Sequence, residues 1–216
     1  MEKIQLYSMA TPNGQKIGIA LEEMGLPYQE YLVNILNGDQ YKPEFVAINP
    51  NSKIPAIVDP NGPGGKPISV FESGAILVYL AEKSGMFLPK ESRTKYETLQ
   101  WLFFQVGGVG PMFGQFGHFF KYAKNQCDHP YPVERYTSET KRLLGVVDNH
   151  LRGKTFLVGE EYTIADMSII PWVSALKTFY QAEEKLDLEK FKNVMTWLDR
   201  CLGRPKTAIG MGVCKI

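Results

Sequence analysis

The sequence predicts an α/β domain followed by an all-helical one. Three observations carry that expectation: strand-like and helix-like stretches alternate over residues 1–84, strand signals cease from about Ser92, and the apolar positions beyond it recur with helical spacing. A chain of 216 residues, 44% apolar and 22% charged, has material for two modest cores and lies well away from the composition of disordered segments.

Ile4-Gln5-Leu6-Tyr7 alternates apolar and polar residues as a half-buried strand does, and Thr11-Pro12-Asn13-Gly14 punctuates it. Ile17, Ala20, Leu21 and Met24 then repeat at i, i+3, i+4, i+7, with Gly25 and Pro27 as the stop, so a helix follows. Tyr28 to Val33 reads as a second strand, and Asn34 to Pro50 as a polar connection with one short helical stretch at Pro43-Glu44-Phe45. Ala56-Ile57-Val58-Asp59 and Ile68-Ser69-Val70-Phe71 form a strand pair around the loop Pro60 to Gly65. Ser73 opens a helix with Ile76, Leu77, Leu80 and Ala81 on one face, and Gly85 closes it. The order β-α-β-α-β-β-α describes a mixed four-stranded sheet in an α/β sandwich, the thioredoxin-like arrangement. Residues 85–91 read as a linker.

Residues 92–216 read as the all-helical domain, with amphipathic segments over Ser92 to Tyr122, Tyr131 to Arg152, Ile164 to Leu176 and Leu188 to Leu202. Gly107-Gly108-Val109-Gly110-Pro111 should bend or locally unwind the first of these. Thr163 and Asp166 have the spacing of a capping-box analogue before the apolar run from Met167. Phe113, Phe116, Phe119, Phe120 and Tyr122 suit either core or an apolar co-substrate pocket.

Composition excludes several function classes. A formal charge of +1 supplies no field for a polyanion, so nucleic acid is not expected as a partner. No apolar run approaches the roughly 20 residues that span a bilayer, and no signal-peptide core follows Met1, which points to a cytoplasmic protein without membrane attachment. Cys127, Cys201 and Cys214 form no C-x-x-C pair and no metal-ligand spacing, so neither a disulfide framework nor a metal is expected. His118, His129 and His150 read as structural.

Three short motifs have the chemistry to hold a charged peptide. A cis Ile54-Pro55 bond would leave neighbouring backbone groups open for strand-like pairing with a bound peptide, whereas a trans proline would need an edge position. Glu72-Ser73 stands where a strand turns into a helix; Ser73 suits an N-cap, the helix end attracts a carboxylate, and Glu72 attracts an ammonium. Thr11 and Asn13 begin the first helix, where hydroxyl and amide donors would stabilise a thiolate. Taken singly, each motif is also what an ordinary capped helix or loop contains.

In combination they resemble the glutathione transferase family across nearly the whole chain. The resemblance rests on Asn49-Pro50-Asn51-Ser52-Lys53-Ile54-Pro55-Ala56, on Phe71-Glu72-Ser73-Gly74-Ala75-Ile76 leading to Tyr79-Leu80, and on Tyr162-Thr163-Ile164-Ala165-Asp166, in the family's order. Thr11-Pro12-Asn13-Gly14, Leu99 to Gln105 and Gly107 to Met112 are similar to the bacterial nu class and to the yeast prion nitrogen regulator.

The resemblance implies cis Ile54-Pro55, a γ-glutamyl site at Glu72 and Ser73, Lys53 near the glycine carboxylate, and a thiol site at Thr11 and Asn13. It further implies that Gln40 and Asn51 lie around the tripeptide and that Arg135 approaches it across a homodimer. The first turn offers neither the tyrosine nor the cysteine used by other classes; Ser8 competes with Thr11 for the thiol contact. The implied activity is that of a glutathione-dependent enzyme, a transferase with disulfide-bond reductase activity, acting on a small disulfide or electrophilic co-substrate. A non-catalytic glutathione-binding regulator is the alternative; the sequence starts at its first strand with no Asn/Gln-rich extension, which weighs against it.

Overall fold

The computed structural model describes residues 2–216, which form two compact units. The first comprises the residues up to Leu88 together with Gly203–Ile216, and the second is Pro89–Leu202.

The first unit is built on a sheet of order β2-β1-β3-β4, from β1 (Ile4–Ser8), β2 (Tyr28–Leu32), β3 (Ala56–Asp59) and β4 (Ile68–Phe71). β1 pairs parallel to β2 across helix α1 (Pro12–Met24), and antiparallel to β3, which pairs antiparallel to β4. Alternation decides the layers. Leu6 and its partner Ile57 are fully buried, on the face that packs under α1 and α3 (Ser73–Ser84). Tyr7, Ala56 and Tyr31 lie on the other face, where Val33 and Phe45 of the short helix α2 (Pro43–Val46) cover them in part. Gly25 and Gly85 end α1 and α3 in left-handed conformation, as their positions predict.

The second unit is all-helical. α4 (Ser92–Phe104) and α5 (Gly110–Gly117) are joined by a π-helical turn over Gln105–Val109. The glycine-rich stretch therefore stays helical with its hydrogen bonds lengthened by one residue to i→i+5, so of the bend or unwinding that the sequence predicts the unwinding does not occur. α6 (Tyr131–His150), α7 (Ile164–Thr178), α8 (Glu183–Leu186) and α9 (Lys192–Leu202) complete it. At the start of α7, Thr163 and Asp166 form the reciprocal capping box. Asp166, fully buried, also accepts from Leu157 N (3.0 Å) and Trp197 Nε1 (2.8 Å). The aromatic cluster divides by burial. Phe113 and Phe116 are core, whereas Phe119 and Phe120 line an open cavity of about 580 Å³ with Lys124, Cys127 and His129.

The domain boundary also differs from the sequence expectation. The sequence places everything from 92 to 216 in the helical domain, but α10 (Pro205–Gly210) and the turn after it pack on α1 of the first unit. Two glycines permit this crossing: a Cβ on Gly18 would lie 2.3 Å from Gly210 O, and one on Gly210 would lie 2.4 Å from Ile19 Cα. A clamp fixes the far end, where the buried Glu23 carboxylate accepts from Arg204 Nη2 (2.7 Å) and Nε (2.9 Å) and from Thr207 Oγ1 (2.7 Å).

Burial works to raise the Glu23 pKa, but the bonds from Arg204 and Thr207 outweigh it and hold the carboxyl below its ordinary range. Asp59 follows the same pattern through Lys83 (2.8 Å) and Tyr79 (2.5 Å). A lowered carboxyl pKa contributes stability that is present above the unfolded value, about 4, and is lost as pH falls through the folded value. The first unit is therefore expected to loosen on acidification below about pH 4, with Glu23→Gln flattening the pH dependence of its unfolding midpoint. A variant that retained the full acid sensitivity would remove Glu23 as its source.

Candidate functional site

Three segments of the first unit line one cleft of about 160 Å³. The first is the opening turn of α1, which contributes Asn13. The second is the loop before β3, with Asn49, Asn51, Lys53, Ile54 and Pro55; the third is the β4–α3 turn, with Glu72 and Ser73.

The loop is shaped by one buried side chain. Asn49 donates through Nδ2 to Lys53 O (2.6 Å) and accepts at Oδ1 from Asn51 N (2.9 Å), while Ser52 N donates to its carbonyl (3.0 Å) and Ser52 sits at φ +54. Asn51 and Lys53 are thereby left exposed at the rim. The Ile54-Pro55 bond is cis, and Pro55 stands just outside the ladder of β3, a strand flanked on both sides by β1 and β4. Asn49 lies inside the family motif, yet its polar, loop-like context gives no sign that it is the residue that folds the loop.

Glu72 is the N-cap residue of α3, exposed and at φ +69, with no side-chain capping bond. Ser73 is the first helical residue and not the cap that the sequence suggests. Its Oγ instead accepts from Lys16 Nζ at 3.1 Å. Neither α1 nor α3 carries an acidic residue in its first turn, so at this side of the sheet their positive ends are offset only by the carboxylate of Glu72 at the N-cap of α3. Lys16 is only 1% exposed, and burial pushes its ammonium down to about 7 against the upward pull of Glu72. Nothing in the sequence singles this residue out, because a lysine in an amphipathic helix normally marks the solvent face.

Thr11 precedes Pro12 as the N-cap of α1, half-buried, and its hydroxyl makes no capping bond. It does not line the cleft. Its rival Ser8 is 1% exposed, with its hydroxyl donating to Met9 O (3.3 Å). The loop is braced from the C-terminal segment: Ala10 N donates to Cys214 O (3.0 Å) and Gln15 Nε2 to Met211 O (2.9 Å). Gln40 lies in the turn Asp39–Tyr41 outside the cleft lining, its Oε1 buried without a partner. Arg135 belongs to α6 of the helical unit, where it faces Glu139 at 3.9 Å. The residues nominated by the sequence thus divide: Asn13, Asn51, Lys53, Ile54, Pro55, Glu72 and Ser73 meet in one cleft, whereas Thr11, Gln40 and Arg135 do not line it.

No cleft residue is a cysteine. Burial, with Glu30 beside it, pushes the Cys214 thiol up to about 12, so it stays protonated. His150 packs on Trp101 with Nε2 2.7 Å from Leu157 O, and His129 Nδ1 accepts from Tyr131 N (3.2 Å), both structural arrangements. Among the described residues no cluster of His, Cys, Asp and Glu suits a metal ion, and no helix is long and apolar enough to cross a membrane.

Residues 10–83 match the glutathione S-transferase N-terminal domain, and residues 111–205 match the glutathione S-transferase C-terminal domain. The Escherichia coli disulfide-bond oxidoreductase YfcG is 49% identical over 94% of this chain and 92% of its own length. A glutathione transferase family member from Pseudomonas fluorescens, crystallised with two glutathione bound, superposes with a TM-score of 0.96 at 51% identity, over 98% of this chain and 93% of that one. A glutathione transferase from Pseudomonas putida, with one glutathione disulfide bound per subunit, superposes with a TM-score of 0.95 at 51% identity, over 97% and 91% of the two chains.

Proposed function

Because the chain belongs to the glutathione S-transferase family, we propose that it is a nu-class-like, glutathione-dependent disulfide-bond reductase whose nucleophile is the thiol of the bound tripeptide. The observation that carries this reading is the cleft. It joins backbone beside a cis proline, suited to pairing with a cysteinyl amide, to an anion and a helix N-terminus suited to an amino-acid head, and it contains no protein thiol. Glu72 receives the ammonium of the γ-glutamyl group and Ser73 its carboxylate; Asn51 and Lys53 lie toward the glycine end. Asn13 and the uncapped hydroxyl of Thr11 donate to the sulfur, and together with the positive end of α1 they favour its ionised form.

The chemistry is thiol–disulfide exchange in two steps. The bound thiolate attacks one sulfur of the substrate disulfide, the S–S bond breaks, and the leaving thiolate takes a proton to give a thiol and a mixed glutathionyl disulfide. A second glutathione thiolate attacks the glutathionyl sulfur, releasing the other substrate thiol and forming glutathione disulfide, so two electrons pass from two glutathiones to the substrate. The ligands named for the Pseudomonas proteins are the reactant pair and the oxidised product of this scheme. A cytosolic setting, where glutathione is kept reduced, suits it. The same reading makes the protein a homodimer in which Arg135 of the partner subunit approaches the tripeptide and Gln40 contributes from the same chain. Sedimentation and Arg135→Ala binding tests address that part.

Purified protein is expected to reduce hydroxyethyl disulfide at the expense of glutathione. Asn13→Ala should lower turnover about 100-fold, the range for removing one donor to a developing or stabilised anion. Thr11→Ala should lower it about tenfold and Glu72→Ala should raise the glutathione KM by about tenfold or more. Binding without turnover would replace the enzymatic reading with a glutathione-binding regulator. Unchanged affinity in Glu72→Ala would remove the γ-glutamyl assignment.

A further inference from the structure

We propose that Lys16 is the positioning residue of the γ-glutamyl subsite: its buried amine fixes the Ser73 hydroxyl as a hydrogen-bond donor to the α-carboxylate of the bound tripeptide. This rests on the reading of Glu72 and Ser73 given above.

The first support is hydrogen-bond polarity. In the 3.1 Å contact Lys16 Nζ donates and Ser73 Oγ accepts; in its charged form the amine has only donors, so the hydroxyl's own proton then points elsewhere, and a carboxylate arriving at Ser73 favours that charged form. In a helix interior a serine hydroxyl turns back to the carbonyl four residues earlier. Ser73 is the first residue of α3 and has no such helical carbonyl behind it. The cleft that Ser73 lines is the direction left. Without the lysine the hydroxyl would rotate freely and spend part of its time as an acceptor, which repels a carboxylate.

The second support is what the amine costs. Lys16 is 1% exposed, deep enough that its pKa falls to about 7, and it lies where the positive ends of two helices converge. Glu72 is the charge that acts against this fall. Packing alone does not call for a cation here, because an apolar side chain of the same length would fill the space with no desolvation penalty. A carboxylate arriving at Ser73 adds a second counter-charge, so the cost of burying Lys16 is recovered in the ligated state and appears as selectivity for a ligand that carries that group.

The test compares S-methylglutathione with its analogue in which 4-aminobutyrate replaces the γ-glutamyl residue, which removes only the α-carboxylate, by titration calorimetry. Wild-type protein is expected to prefer S-methylglutathione by about 10–100-fold, the value of a charge-assisted hydrogen bond. In Lys16→Met this preference should fall to within about threefold, with affinity for the analogue unchanged and kcat at saturating glutathione nearly unchanged. Lys16→Leu, which likewise offers no donor to Ser73 Oγ, serves the same purpose if Lys16→Met does not fold. A preference retained in the variant overturns the proposal, as does equal weakening of both ligands, which would mark a purely structural role. Ser73→Ala separates the two levels. If it also keeps the full preference, the γ-glutamyl assignment itself fails; if it loses the preference while Lys16→Met keeps it, only the role of Lys16 fails.

Discussion

Gly210→Ala is expected to destabilise the first unit by about 3 kcal/mol and to abolish reductase activity near the temperature at which α10 lifts away. The added methyl would stand 2.4 Å from Ile19 Cα, 2.5 Å from Ile19 N and 2.7 Å from the carbonyl carbon of Gly18. All three are backbone atoms inside α1, so no rotamer change relieves the contact and α10 has to move. The consequence reaches the cleft. The segment after α10 holds the start of α1 through Cys214 O on Ala10 N and Met211 O on Gln15 Nε2, and that start carries Thr11 and Asn13. Gly18→Ala meets Gly210 O at 2.3 Å and should act in the same way. Combining the two should cost much less than their sum, because a crossing already opened by one methyl admits the second. Gly107 is the control: nothing lies within 4 Å of its Cβ position, and alanine there should be neutral or stabilise by up to about 1 kcal/mol. Denaturant unfolding of the four variants decides the matter, and simple additivity of the two close-contact substitutions would refute the crossing as their common cause.

How much of this is legible in the sequence differs by the range of the interaction. The strands Ala56–Asp59 and Ile68–Phe71 and the helix over Ser73–Ser84 fall where alternation, turn residues and helical spacing place them, because those signals are local. The site is legible as motifs: the loop at Asn51 to Pro55 and the turn at Glu72-Ser73 are each contiguous in sequence, and folding brings them together. Three things are hidden. Lys16 reads as a surface residue until the fold brings Ser73 over it, a tertiary contact across 57 positions. The docking of residues 203–216 on α1 has a sequence trace only in Gly18 and Gly210, and a single glycine inside a helix serves too many purposes to be read as a crossing point. The π-turn at Gln105–Val109 reads as a break, since glycine followed by proline weakens a helix. There Trp172 and the Gln105 side chain pack against Gly110 and the chain stays helical.

Asp166→Ala should be the most destabilising substitution in the helical unit, at about 4 kcal/mol. A lost capping box accounts for only about 1 kcal/mol of this. The remainder comes from donors that have no other partner at hand: Leu157 N at 3.0 Å, Trp197 Nε1 at 2.8 Å, and Thr163 through both N (3.0 Å) and Oγ1 (3.2 Å). Asp166 and Trp197 are 0% and 1% exposed, so water cannot replace the carboxylate without opening the core. Trp197→Phe keeps most of the ring volume and removes one donor, so it should cost less than Asp166→Ala, and the double variant should show coupling between the two sites. Acid separates this network from the Glu23 clamp. Burial raises the Asp166 pKa despite its four donors, and a raised carboxyl pKa contributes stability below the unfolded value near 4 that is lost as pH rises through the folded value, the reverse of Glu23. Asp166 therefore gives the helical unit no acid lability. Trp101, Trp172 and Trp197, all within that unit, supply the readout. On titration below about pH 4, tryptophan fluorescence should change only after glutathione binding by the first unit is lost. Tryptophan exposure that preceded the loss of binding would show that the helical unit, with Asp166 at its centre, is the acid-sensitive one.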